Sequence, residues 1–171
     1  AVKMILPHLG TREDMLLRLQ REALATANLK SPHIVRVFDA GYTSERIFYI
    51  VMEWLGGCDL EKKLYKAGTL PPLEALRLVR QTALGLDTAH RAGIIHRDIK
   101  PSNIIINQSN EAILTDFGLS HQAQDERLTG EGVVLGTADY LSPEQITAAA
   151  LDGRTDIYSL GIVFYELLTG V

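Results

Sequence analysis

Four polar side chains carry most of the chemistry open to this sequence. Asp98, Lys100 and Asn103 fall within six positions in IIHRDIKPSNIII (residues 94–106), a polar octet set between two isoleucine runs, and Asp116 follows Asp98 by 18 residues in LTDFG. Each alone is ordinary, since aspartate and asparagine commonly serve as turn formers and caps. Together they are two carboxylates and an amide at the two ends of one hairpin, where they can converge on a hard cation that prefers oxygen ligands. Gly118, after the second aspartate, permits backbone angles closed to other residues.

Regular elements must hold these groups. NIIINQSNEAILTDFG reads as a β-hairpin with Gln108 to Asn110 at its turn. Before it, DLEKKLYKAG and PPLEALRLVRQTALGLDTAHRAG read as helices, the second with proline at its start and glycine at its end. Earlier still, residues 11–29 have helical periodicity opened by Thr11 and Asp14 in a capping-box pattern. PHIVRVFDAG and RIFYIVMEW read as strands with a turn at Gly41 to Glu45. IYSLGIVFYELLTGV (157–171) contains Glu166 and falls short of the roughly 20 residues a membrane span needs, so it reads as a buried core helix. On a helical wheel Glu22 shares the apolar face of Met15, Leu19 and Thr26. A carboxylate there either reaches solvent at the stripe's edge or needs a partner, for which Lys3 is the complement.

Composition excludes several classes. With 171 residues, 46% hydrophobic and 22% charged, the chain matches ordinary globular proteins, and its net charge of -4 argues against nucleic acid or an anionic membrane as the main partner. The lone Cys58 allows no internal disulfide or thiolate cluster, which suits a cytoplasmic setting. No repeat or low-complexity segment interrupts the chain. The start at Ala1, with no initiator methionine and no apolar leader behind it, suggests a piece of a longer protein.

In this order, several segments resemble eukaryotic-type Ser/Thr protein kinases of bacterial character. HRDIKPSN is similar to their catalytic loop, DFG to their metal-binding motif and AVK to the tail of their V-A-I-K strand. VMEW resembles the hinge, GTADYLSPE the end of the activation segment, and DIYSLG the start of the central helix. The resemblance implies an α+β, two-lobed protein-kinase-like fold truncated at both ends. Residues 1–55 would form part of the small lobe, a β-sheet with one helix but no glycine-rich loop, and residues 56–171 the mostly helical large lobe, ending at the central helix.

Roles follow from the resemblance residue by residue. Asp98 matches the aspartate that orients the acceptor hydroxyl and takes its proton, and Lys100 the lysine beside the transferring γ-phosphate. Asn103 and Asp116 match the magnesium ligands, while Lys3 would hold the α- and β-phosphates and pair with Glu22. Ala1 and Ile105 would sandwich the adenine, the backbone of Glu53 and Leu55 would bond its edge, and Met52 matches the gatekeeper. Asp59 matches the ribose-contacting position, and it also reads as an N-cap for the helix from Leu60. Arg97 matches the arginine that docks an activation-loop phosphate; Arg18 either joins that cluster or is a solvated helix charge. Thr129 is the expected acceptor for autophosphorylation, in a homodimer, and Thr137 matches the Ser/Thr substrate-pocket threonine. Ser142 replaces the usual alanine before Pro143 and Glu144, a change expected to be neutral.

The implied activity is phosphorylation of Ser/Thr hydroxyls on protein substrates with ATP and Mg2+, or Mn2+ in its place. No nucleic acid partner is implied and no membrane segment lies within the chain, although the parent protein could be tethered by a segment elsewhere. Truncation implies weak or absent activity for the 171 residues alone. The competing readings are a pseudokinase scaffold or allosteric partner, which would be expected to lack one of Lys3, Asp98, Asn103 and Asp116, and a small-molecule phosphotransferase, which would lack GTADYLSPE.

Overall fold

The structure is a computed structural model that describes residues 1–5, 20, 23–117 and 138–171. Three strands, β1 (Val2–Ile5), β2 (Val37–Tyr42) and β3 (Phe48–Met52), form an antiparallel sheet in the order β1-β3-β2. A helical stretch at residues 23–27 (α1) contributes Ala23 to the sheet's small core, beside Val37, Ala40, Phe48 and Ile50. The aromatic and β-branched content of β3 suits a half-buried pleated strand, and its alternate residues Phe48 and Ile50 point inward.

The expected strand PHIVRVFDAG starts late, at Val37, because its first residues are used elsewhere. Ile34 makes a parallel bridge to Leu114, with Val35 N donating to Leu114 O at 2.9 Å and Leu114 N donating to His33 O at 2.9 Å. The segment therefore fastens the small sheet to a second one. That sheet, β4-β5-β6, is formed by β4 (Gly57–Asp59), β5 (Ile104–Asn107) and β6 (Ala112–Leu114). The hairpin β5–β6 matches expectation. β4 does not, since residues from Leu60 onward were expected to begin a helical region with no strand before it. Gly57 lies at φ 134 and an added Cβ would sit 2.0 Å from Ile106 O, so only glycine lets β4 meet β5.

Helix α2 (Leu60–Ala67) begins at Asp59, whose carboxylate accepts from Lys62 N at 2.7 Å, and ends at Gly68. In α3 (Pro72–Arg91) the residues Ala75, Leu78, Thr82, Gly85, Leu86 and Ala89 are buried at helical spacing. Gly85 allows the helix to approach the chain at His33, whose carbonyl would lie 2.8 Å from an added Cβ. The larger core packs this stripe against Leu60, Ile99, Ile104, Leu114, Val163 and Leu167.

The short α4 (Pro143–Ile146) precedes α5 (Arg154–Thr169). Only one face of α5 is buried, through Leu160, Val163 and Leu167, whereas Ile157, Tyr158, Tyr165 and Leu168 are exposed. The expectation of a buried core helix is corrected to a helix buried on one stripe; a continuous apolar run hides which face is covered. No described helix is long and apolar enough to cross a membrane.

Candidate active site

The chain leaves α3 and enters the polar loop at His96. The first turn of α5 meets it there: buried Asp156 accepts from His96 N at 2.9 Å through Oδ2 and from Arg97 N at 2.7 Å through Oδ1. Arg97 has φ 68, an uncommon left-handed conformation for a residue with a side chain. Gln145 in α4 secures the same residue from the other side, its Nε2 donating to Arg97 O at 2.8 Å. Two anchors therefore fix the backbone immediately before Asp98.

His96 supports the loop from inside. Its Nε2 donates to Thr115 O at 2.8 Å and its Nδ1 accepts from Asp98 N at 3.3 Å, so both ring nitrogens are occupied by backbone. The ring also packs on Phe117, with centroids 4.5 Å apart. His96 thus links Asp98 to the residues flanking Asp116.

Asp98, Lys100 and Asn103 form one cluster. Asn103 Nδ2 donates to Asp98 O at 2.8 Å and Asp98 Oδ2 at 2.9 Å, and Lys100 Nζ lies 2.9 Å from the same Oδ2. With its Nδ2 engaged on Asp98, Asn103 keeps its Oδ1 for another partner. The 3-10 turn Pro101–Asn103 brings these groups back on themselves, and Thr115 N donates to Asn103 O at 3.0 Å, so β6 delivers Asp116 beside them. Asp116 also adopts a left-handed backbone, φ 65. Its Oδ1 accepts from Lys3 Nζ at 2.6 Å, which joins the first strand to the end of the second sheet.

Ahead of β1, Ala1 and Met52 exchange hydrogen bonds: Ala1 N donates to Met52 O at 2.6 Å and Met52 N donates to Ala1 O at 2.9 Å. Glu53 and Leu55 lie on the connection from β3 to β4, and Glu53 N donates to Arg36 O at 2.8 Å. Ile105, half-buried in β5, pairs in register with Asp59 and Ile113. The Asp59 carboxylate caps α2 and contacts Lys62 Nζ at 2.6 Å. Partial burial pushes its pKa up, but the bonds from Lys62 outweigh burial and hold it below the ordinary carboxylate range.

Glu22, Arg18, Thr129 and Thr137 lie outside the described residues, and with them the expected Lys3–Glu22 pair. Among the described residues, the carboxylate paired with Lys3 is Asp116. Sequence reasoning also passed over Asp156 and Gln145, which act on Arg97 through its backbone. The available signal was an aspartate opening an otherwise apolar helix, a charge that burial obliges to find donors. Ser142 is a further correction: it is fully buried and caps α4, accepting from Gln145 N at 3.4 Å while Gln145 Oε1 accepts from Ser142 N at 3.1 Å. Alanine there would lose the cap bond.

Comparison with known proteins places this arrangement. Residues 1–171 match the family described as "Protein kinase domain". The chain is 43% identical over 164 residues to "Probable serine/threonine-protein kinase pknA2" of Bifidobacterium longum, covering 96% of the chain and 21% of that protein. It is 41% identical over 171 residues to "Probable serine/threonine-protein kinase CPE1738" of Clostridium perfringens, covering 100% of the chain and 25% of that protein. It is 43% identical over 158 residues to "Serine/threonine-protein kinase PknL" of Mycobacterium tuberculosis, covering 92% of the chain and 39% of that protein. The chain thus spans well under half the length of these relatives.

Proposed function

The chain belongs to the protein kinase domain family, and from that premise we propose that it transfers the terminal phosphoryl group of ATP to serine or threonine hydroxyls of protein substrates. The observation that carries the reading is the Asp98–Lys100–Asn103 cluster held within one hairpin of the Lys3–Asp116 pair. The donor chemistry fits magnesium, or manganese in its place: Asn103 offers an amide oxygen and Asp116 a carboxylate, few enough that phosphate oxygens and water complete the shell. When bound, the metal and nucleotide supply charge neutralisation and the transferable phosphoryl group.

The residues themselves bind, orient and move one proton. Asp98 Oδ2 takes the Asn103 and Lys100 donors, which directs Oδ1 toward an acceptor hydroxyl. As the acceptor oxygen bonds to phosphorus and the bond to the leaving diphosphate breaks, the hydroxyl proton passes to Asp98. Lys100 stabilises charge on the transferring group, and Lys3 holds the other phosphates from across the site. Ala1, Met52 and Ile105 would flank the adenine, with the Glu53 and Leu55 backbone at its edge and Asp59 at the ribose.

For regulation, Thr129 would be the autophosphorylated residue, exchanged between two copies, with Arg97 docking the phosphate and Arg18 joining it. Thr137 would shape the hydroxyl pocket. Phosphoamino-acid analysis of substrate labelled from γ-labelled ATP tests the acceptor class: phosphoserine and phosphothreonine support it, and phosphotyrosine alone overturns it.

A further inference from the structure

The strand that delivers Asp116 has a ladder on one side only. Glu111 and Thr115 turn toward β5, with Asn107 N donating to Glu111 O and Thr115 N to Asn103 O, each at 3.0 Å. The amides and carbonyls of Ala112 and Leu114 therefore face the other edge of β6, the end of its sheet. Both residues are buried, so all four groups need partners.

Leu114 finds its partners in backbone: its N donates to His33 O and its O accepts from Val35 N, both at 2.9 Å. Ala112 finds them in side chains. Its O accepts from His33 Nδ1 at 3.0 Å, and its N donates to Gln81 Oε1 at 3.0 Å. Helix α3 packs along this edge but has no backbone acceptor to give, because carbonyls inside a helix are already bonded to the amides four residues on. Only a side chain can supply one, and Gln81 does. One turn earlier on the same helix, Arg77 Nη1 donates to Asn110 O at 2.7 Å, where the hairpin turn adopts φ 60.

From this geometry we infer that Gln81 is a positioning residue for Asp116: by accepting from Ala112 N it stands in for an absent strand and fixes the segment that carries the carboxylate. The inference rests on the proposed kinase reading for its catalytic consequence but not for its structural one. β6 is three residues long, so each edge bond is a large share of what holds it. Asp116, four positions beyond Ala112, has φ 65, a sparsely populated conformation that persists only when its flanks are fixed. Downstream of β6, Thr115 is held by its bonds to Asn103 O and by His96 Nε2 on its own carbonyl. Upstream, Gln81 and His33 hold Ala112.

Two substitutions separate the acceptor from the packing in protein containing these residues. Gln81→Leu keeps nearly the same shape and removes the acceptor, whereas Gln81→Glu keeps an oxygen at the same reach. In Gln81→Leu the Ala112 amide should exchange with solvent about tenfold faster while the amides of α3 are unaffected. The magnesium concentration that half-saturates tight ATP binding, read by calorimetry, should rise about fivefold, the scale of one hydrogen bond lost behind a metal ligand. The transfer rate should fall at limiting magnesium and recover at saturating magnesium, with the KM for the acceptor protein within about twofold. Gln81→Glu should restore wild-type exchange and wild-type magnesium dependence.

Unchanged exchange at Ala112 in the Leu variant would overturn the inference. So would a magnesium dependence equal to that of the wild-type protein, or a loss in the Leu variant that Gln81→Glu does not rescue. Faster exchange in the Leu variant of a protein whose wild type binds no ATP with magnesium would keep the strand closure and remove the kinase reading.

Discussion

Lys3 and Asp116, 113 residues apart in the chain, meet at 2.6 Å and join the first strand of one sheet to the exit of the other. The pair is partly open to water, with side-chain exposures of 42% and 26%, so its contribution to stability is small, about 0.2–1 kcal/mol. In the proposed reaction its value lies in bringing a cation and a carboxylate together at the exit of β6, one residue after Thr115, whose N donates to Asn103 O at 3.0 Å.

Lys3→Met should therefore separate activity from stability. Phosphate transfer should fall roughly a hundredfold, as expected for removal of a donor that stabilises transition-state charge, while the urea midpoint shifts little. Paired kinase assays and urea titrations check both halves. A large stability loss would recast the lysine as structural.

Tyr140 and Glu166 offer a pH-dependent probe. The Tyr140 hydroxyl donates to Glu166 Oε2 at 2.6 Å; burial first, and that bond second, raise the phenol well above its ordinary 10.0. With the folded pKa raised, this stabilisation is fully present below pH 10 and is lost as pH rises from there toward the folded value, because the unfolded chain releases its proton first. Tyr140→Phe should cost about 1.5 kcal/mol at pH 8, and the difference from wild type should shrink above pH 10. Urea unfolding at the two pH values measures it; a constant difference would contradict the assignment.

Ser142→Ala tests a position that looked neutral by sequence. Loss of the cap should destabilise the protein by about 1 kcal/mol. Since Gln145 also donates to Arg97 O, kcat should fall modestly as well. Unchanged unfolding would show that the cap is dispensable.

What the sequence reveals and what it conceals divides by the range of the interactions. The limits of α2 and α3, set by Asp59, the prolines at 71 and 72 and the glycines at 68 and 93, are local and legible. So is the β5–β6 hairpin, whose apolar runs flank a polar turn. β4 is not, because three residues opened by a glycine become a strand only when Ile106 lies alongside. Likewise Ile34 reads as the start of β2 until Leu114 claims it. At the site, Asp98, Lys100, Asn103 and Asp116 were legible by type and spacing. Asp156 and Gln145 were not, because they act on backbone groups that every residue carries.

Regulation should be visible by mass spectrometry. Protein containing these residues, incubated with ATP and magnesium, should gain phosphate at Thr129, and Arg97→Ala should lose the activation that follows. Absence of phosphate anywhere between residues 119 and 136 would sink the autophosphorylation proposal.

In the proposed reaction Asp98 accepts the proton of a Ser/Thr hydroxyl during phosphoryl transfer. The direct test is the single-turnover transfer rate of Asp98→Asn, alongside its nucleotide affinity. The rate should fall on the order of a hundredfold to ten-thousandfold with nucleotide affinity little changed. A rate equal to that of the wild-type protein, with nucleotide bound equally well, would contradict it.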